Sequence, residues 1–237
     1  MPGVLAYLGA VGATGRHAHH AVQLMVAETE LAVVDDRGRA HRGRRLMIPP
    51  DTGHAITVGA HRAVALFVDP GSTLGAALNR RPGWSDGGNA VLDGVRPDER
   101  EPRAAVAALA DALAPEIRRL PAPVEHPSVL RARALLPAMI ADGPVRVSDV
   151  AARVGISTSR LTHVFTEQVG LPLRRYVLWL RIMTAIARVA EGGDLTHAAH
   201  AAGFADSAHL SRTCRATFGL APSALSRGVA VEIEPGV

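Results

Sequence analysis

The apolar positions of this chain follow two different periods. Up to about residue 70 they come in short runs: Ala21 to Ala27, Glu30 to Val34, Leu46 to Ile48, Ala55 to Val58 and Ala63 to Val68. Runs of this length, alternating or wholly apolar, suit strands buried on one or both faces. Asp35-Asp36-Arg37-Gly38 has turn chemistry, because glycine takes positive φ without strain, and Pro49-Pro50 stops the third run. Short strands at this spacing predict a small antiparallel sandwich or barrel. From Asp69 to Gly94 the chain is rich in Gly, Pro, Asn and Ser, and reads as connection with one helical turn near Leu74 to Leu78. Glu101 to Leu113 places Val106, Leu109, Ala110 and Leu113 at helical spacing and predicts one helix. The prolines between Leu120 and Pro127 cannot continue it and read as a linker.

After Pro127 the period becomes helical, broken at Gly143-Pro144, Gly155, Gly170, Gly192-Gly193, Gly203 and Gly219. Short helices at these intervals predict an all-α domain of about a hundred residues. Two stretches share one layout. In the first, Ser148 is positioned to cap a helix over Asp149 to Val154, Ala151 is small enough for a close helix crossing, and Gly155 supplies the turn. Ser157 then caps a second helix whose inner stripe is Leu161, Val164 and Phe165. Its outer face carries Ser159, Arg160, Thr162, His163 and Thr166, short polar side chains of the kind that read base edges in a major groove. In the second stretch Thr196 is positioned as the cap, Ala199 is the small residue, and Gly203 is the turn. Asp206 or Ser207 caps the following helix. Its inner face holds Leu210, Cys214 and Phe218; Ser207, Ala208, Ser211, Arg212 and Arg215 lie outward. A long amphipathic helix, Leu173 to Ala190, joins the two units. Recognition helices joined this way reach successive major-groove segments roughly 34 Å apart.

Charge sharpens this picture only locally. All 26 basic residues are Arg, and the net charge is +4. The excess concentrates in residues 145–227, where 10 Arg face 5 acids. Arg160, Arg174, Arg175, Arg212 and Arg215, with helix N-termini, are candidate phosphate contacts. One cysteine, Cys214, excludes an internal disulfide framework and a multi-cysteine metal site; its place on an inner stripe predicts a buried, inert thiol. No apolar run reaches the ~18 residues of a membrane span, and no secretory signal pattern opens the chain. A cytoplasmic protein without a membrane partner is expected.

The segment Asp149 to Leu225 resembles the DNA-binding domain of the AraC/XylS family of bacterial transcription regulators. The resemblance rests on Ser157 to Leu161, Phe165, Gly170 to Tyr176 with Arg181, Ala185, Gly203-Phe204, Ser207, Leu210-Ser211-Arg212, and Phe218-Gly219 with Pro222. With the helix from Pro127 to Ile140 it covers about residues 127–228. It implies promoter DNA as partner, with contact to RNA polymerase.

His17, His19 and Gln23, followed by Gly43, Pro49 and His54, have spacings that resemble the two cupin motifs. A cupin-like effector domain often precedes the DNA-binding domain in this family. The resemblance makes His17, His19, Gln23 and His54 the lining of a small-molecule pocket. Three imidazoles and an amide oxygen could also hold a divalent Zn, Fe, Ni or Mn ion. That is the less favoured reading, and no cofactor is required. A structural or dimerising role is the third reading. His41 and His61 are expected at the surface. No nucleophile–base pair, phosphate loop or paired-carboxylate motif is visible, so the expectation is a non-enzyme. The alternative is a metal-dependent cupin enzyme with a helical appendage.

The fold expected is therefore α+β: a small antiparallel cupin-like β-barrel, then an all-α domain with two helix-turn-helix units. The expected boundaries are 1–85 for an effector or dimerisation domain, 86–126 for a connecting segment with one helix, 127–228 for the DNA-binding domain and 229–237 for a tail.

Overall fold

The computed structural model describes residues 2–81, 84, 90–98, 100–120, 125–222 and 229–233. The proline-rich segment 121–124 and most of the connection at 82–89 lie outside the described residues. The chain divides into two compact units: Pro2–Leu120 with Ser211–Ile233, and Pro121–Leu210.

The first unit is built on an antiparallel sheet of β1 (Pro2–Val11), β2 (Val22–Asp35), β3 (Ala40–Ile48), β4 (His54–Val58), β5 (Ala60–Val68) and β6 (Val229–Ile233). The ladder runs β3-β2-β5-β1-β6, with β4 also on β2. Strand β2 explains the arrangement. Its first half, Val22 to Ala27, runs between β3 and β5 and is buried throughout, which is why the sequence shows an unbroken apolar run there. After the exposed residues 28–30, Ala32 to Asp35 run between β3 and β4. The sheet thus curls as expected, but among the described residues it is not closed into a barrel: β3 and β6 remain its two ends. Two of its strands carried no legible sequence signal. β1 has no apolar–polar alternation, and β6 lies in the stretch expected to be a tail yet pairs with β1 from Pro2↔Ile233 to Tyr7↔Val229.

Alternation sorts the side chains of the central strands onto two faces. Val22, Leu24, Val26, Val64, Leu66 and Val68 join α1 (Thr73–Leu78), a 3-10 turn at Ala90–Leu92 and α2 (Pro102–Ile117) in one core, through Leu74, Leu78, Leu92, Ala105, Leu109 and Leu113. The predicted helix near 101–113 is therefore a wall of the sheet's core. The register puts Gln23 opposite Phe67 and Met25 opposite Ala65, on the other face.

The second unit contains α3 (Pro127–Asp142), α4 (Val147–Val154), α5 (Thr158–Val169), α6 (Leu173–Ala190) and α7 (Leu195–Ala201). Helix α8 (Ser207–Phe218) begins in this unit, and Ser211 onward belongs to the first. The left-handed glycines stand where the sequence placed them: Gly155 ends α4 with φ 75°, Gly170 ends α5 with φ 78°, and Gly203 follows α7 with φ 80°. Ser157 caps α5, accepting from the Arg160 N–H at 3.2 Å. Two caps differ from expectation. Arg146, not Ser148, is the N-cap of α4, and Ser148 Oγ instead donates to Asp149 Oδ1. Asp194, not Thr196, caps α7, because its carboxylate accepts from the His197 N–H at 2.9 Å. Asp206 opens α8 by accepting from the His209 N–H. Val150, Ala151, Leu161, Val164, Phe165, Tyr176 and Leu180 fill the core among α3 to α6, with Phe165 edge-on to Tyr176 at 5.3 Å.

Two glycines give a test of these constraints. A Cβ on Gly59, between β4 and β5, would lie 1.9 Å from the Val11 carbonyl oxygen, whereas one on Gly155 meets open space and only backbone strain. Gly59→Ala should cost about 3 kcal/mol or more in urea unfolding, and Gly155→Ala about 1 kcal/mol. Equal losses would contradict this account of the sheet.

Candidate nucleic-acid interface and histidine cluster

The recognition faces come first. In the first helix-turn-helix unit, α4 and α5 are held by Val150, Ala151, Leu161, Val164 and Phe165, all buried. What remains outward on α5 is Ser159, Arg160, Thr162 and His163, all exposed, with Thr166 half-buried. The hydroxyls of Thr162 and Thr166 donate to the Thr158 and Thr162 carbonyls, so each keeps its acceptor lone pairs outward. His163 lies 3.9 Å from Glu167 one turn on.

In the second unit Leu210, Cys214 and Phe218 are buried, while Ala208, Arg212 and Arg215 are exposed and Ser207 and Ser211 half-buried. Every residue expected on an outer face is therefore at least partly accessible. The Cys214 thiol is pushed up to about 12 by burial, as expected of an inert sulfur.

Sequence reasoning named Arg174 and Arg181 but did not see that they share a groove. Arg146, Arg174 and Arg181 line one hollow of about 640 Å³ with Ser148, Thr158 and Val177. It lies where α4, α5 and α6 begin. Arg181 is half-buried, and its Nε has no hydrogen-bond partner among the described residues. Burial lowers its pKa below the usual guanidinium range. A hollow lined by three guanidinium groups and no carboxylate suits a phosphate oxygen.

The second constellation is on the face of the sheet that carries Gln23 and Phe67. The spacing of His17, His19, Gln23 and His54 does bring them together, and all four are buried. An antiparallel bridge ties His17 to His54 through N–H···O bonds of 2.9 Å in both directions. The rings of His17 and His54 are 4.3 Å apart, and those of His19 and His54 5.1 Å. One ring nitrogen from each of the three lies within 4.8 Å of the others.

Each imidazole is held by its other edge. The Nδ1 atoms face the carbonyls of Gly15, Ala21 and Thr52, at 2.9, 3.1 and 2.9 Å for His17, His19 and His54. A carbonyl only accepts, so each Nδ1 carries the proton and each Nε2 is left with a lone pair. Burial lowers His19 to about 3 and His54 to about 4, and lowers His17 as well, so all three are neutral at pH 7.

Two contacts here were not legible from sequence. The Phe218 ring, at the end of α8, lies 6.4 Å from the His19 ring and 5.0 Å from Phe67. The next residue, Gly219, is so close to His17 that an added Cβ would lie 3.0 Å from its Cε1. All of these residues belong to the first unit.

His41 is a correction: it is buried, not at the surface. Its Nε2 bonds Asp35 Oδ2 at 3.0 Å and its ring stacks on Trp84 at 4.0 Å. That bond, with the backbone N–H groups of Arg37 and Arg39, holds the Asp35 carboxyl down at about 2. His61 is exposed as expected.

Comparison with known proteins follows the same division. A helix-turn-helix domain family matches residues 150–228. ToxT from Vibrio cholerae O395 is similar in structure, with TM-score 0.57 at 11% identity over 95% of this chain and 98% of that one. ToxT from Vibrio cholerae strain SCE256, in a structure with bound unsaturated fatty acid, is similar with TM-score 0.54 at 12% identity over 98% and 99%. An AraC-type regulator from Chromobacterium violaceum is 28% identical over 42% of this chain and 89% of that one, with TM-score 0.40. No curated protein matches the chain. The likeness to ToxT is one of fold.

Two helix-turn-helix units with exposed polar recognition faces, behind an antiparallel sheet unit, define a DNA-binding transcription regulator. The family match covers residues 150–228, about a third of the chain, and is to a helix-turn-helix domain. No described helix is long and apolar enough to cross a membrane.

The histidine pKa values carry a sign. In the unfolded chain these imidazoles take up protons below about 6.5, while in the folded chain His54 and His19 resist until about 4 and 3. Their contribution to stability is complete above about pH 6.5 and is lost as pH falls toward 4. Between pH 7 and 4.5 stability should drop by about 5 kcal/mol, roughly half from each of these two imidazoles. His54→Asn should flatten that slope. A profile unchanged by the substitution would contradict the buried neutral state.

Proposed function

We propose that this chain binds specific promoter sequences through both helix-turn-helix units and changes transcription through RNA polymerase in response to an event in its sheet domain. The observation that carries the reading is the repetition: each unit keeps a small residue and a left-handed glycine at its crossing and leaves a polar helix face outside.

In this reading α5 reads bases with Ser159, Arg160, Thr162, His163 and Thr166, and α8 with Ser207, Ala208, Ser211, Arg212 and Arg215. Arg174 holds backbone phosphate, joined by Arg146 and Arg181 in the same hollow. Arginine suits both tasks, since its fork pairs with guanine or phosphate.

The sheet domain, with α2 in its core, is the sensing or dimerising part, and 127–228 binds DNA. The unsaturated fatty acid of the ToxT structure is a precedent in this fold for a small-molecule effector. The protein acts by binding rather than catalysis, in a bacterial cytoplasm, and a homodimer is one route by which the sheet domain acts. Effector and DNA need be coupled by only ~1–3 kcal/mol.

The test is a binding comparison on a duplex recovered by selection from random DNA. Arg212→Ala should weaken the selected site by about 10-fold or more while random DNA loses much less. Arg174→Ala should weaken both alike and reduce the salt slope by about one. Equal loss on both duplexes for Arg212→Ala would demote it to a phosphate contact. Absence of salt-dependent DNA binding by the full chain would overturn the function.

A further inference from the structure

We infer that the hollow lined by Arg146, Arg174 and Arg181 is a binding site for a small phosphate monoester with an apolar body, and that its occupant keeps duplex DNA off the same arginines. The inference rests on the regulator reading above, which gives these arginines to backbone phosphate, and adds a ligand that acts on the helical unit directly. Every residue of the site belongs to that unit.

Charge carries the argument. The first residues of three helices line the hollow: Val147 and Ser148 of α4, Thr158 of α5, and Leu173 and Arg174 of α6. Helix N-termini are electropositive, and neither α4 nor α6 has a side-chain cap there. Three guanidinium groups stand against these same ends, where like charge is unfavourable. The acid in the first turn of α4, Asp149, does not line the hollow and accepts from Ser148 Oγ. Helices α5 and α6 carry no acid in their first turns. Among the described residues no carboxylate pairs with any of the three arginines. An anion in the hollow relieves all of this charge at once.

Arg181 makes the need specific. Its Nε is buried without a hydrogen-bond partner among the described residues. The guanidinium sits so close to Gly203 that an added Cβ there would lie 3.1 Å from Nε. An arginine fixed by packing and short of one partner is pre-organised to take an oxyanion on the rest of its fork.

Size and lining choose the ligand. At about 640 Å³ the hollow is in the range of small-molecule sites and far larger than one phosphate group. Val145, Val147, Val177 and Leu178 supply an apolar wall that a phosphodiester backbone leaves unused. Leu178 is one of the few large apolar side chains left exposed among the described residues. The charged end follows from the arginines. A phosphate monoester carries close to two negative charges at pH 7 and three terminal oxygens, whereas a carboxylate offers one charge and two oxygens. An ester seated on Arg146, Arg174 and Arg181 cancels the charge that draws a backbone phosphate and fills the space for it.

The experiment titrates the full chain with phenyl phosphate by calorimetry at constant ionic strength. One equivalent should bind, at least about tenfold more tightly than inorganic phosphate, benzoate or phenol. Arg181→Gln and Arg146→Gln should each weaken it by about tenfold or more. Arg146 is exposed, so its replacement keeps the fold. Leu178→Ser should weaken phenyl phosphate about threefold and leave inorganic phosphate unchanged. Arg62→Ala, at an exposed position of the sheet unit, should change nothing.

At ten times its Kd, phenyl phosphate should raise the Kd for the selected duplex about tenfold, and Arg146→Gln at the same concentration should remove most of that shift. Absence of a one-to-one complex, or one indifferent to Arg146→Gln and Arg181→Gln, overturns the site. Equal affinity for inorganic phosphate overturns the apolar body, and equal affinity for benzoate overturns the monoester. A complex that leaves duplex affinity unchanged overturns the exclusion. Failure to bind DNA with or without phenyl phosphate overturns the regulator reading, and the calorimetric titration still decides the site.

Discussion

The helical unit depends on the burial of one helix. α6 has to satisfy two neighbours in succession. Its first half gives Leu173, Tyr176, Val177 and Leu180 to the core shared with α3, α4 and α5. Its second half continues the stripe with Ile182, Met183, Ala185 and Ile186, and α6 goes on to pack with α7. At eighteen residues it is roughly 27 Å long. Helices α5 and α7, one from each helix-turn-helix unit, therefore pack on one rod. On α5 the packing side chains Leu161, Val164, Phe165 and Val169 are turned inward, and the polar ones are left outside.

A second constraint lies inside the sheet unit, where Phe218 and Gly219 pack on the histidine cluster. The cluster is unusual chemistry for a protein interior, since its imidazoles are neutral, oriented from behind and facing one another with lone pairs.

The parts legible in sequence were those set by neighbours along the chain. Gly155 and Gly203 announce left-handed turns, Ser157 announces a cap, and the i, i+3, i+4 stripe of Leu161, Val164 and Phe165 announces an inner face. The cap of α7 was misplaced by two residues because Asp194 and Thr196 both have capping chemistry, and only the geometry of the turn chooses between them. The strands β1 and β6 were not legible, because the partner that makes each a strand lies at the far end of the chain. His41 was misjudged for a related reason. Asp35 reads as a turn residue, and it does hold the turn through Arg37 and Arg39, but its second oxygen reaches inward to His41. The three histidines and Gln23 were brought together by spacing, whereas Phe218 above them belongs to a helix whose sequence speaks only of helix packing.

The central proposal is that one chain places two recognition helices in successive major-groove segments of one duplex. It is tested most directly by footprinting the full chain on its selected site, then on the same site with five or ten base pairs inserted between the protected segments. The proposal predicts protection of two major-groove segments about one helical turn apart and loss of the joint footprint with either insertion. Protection of a single segment, or a joint footprint that survives the ten-base-pair insertion, would contradict it.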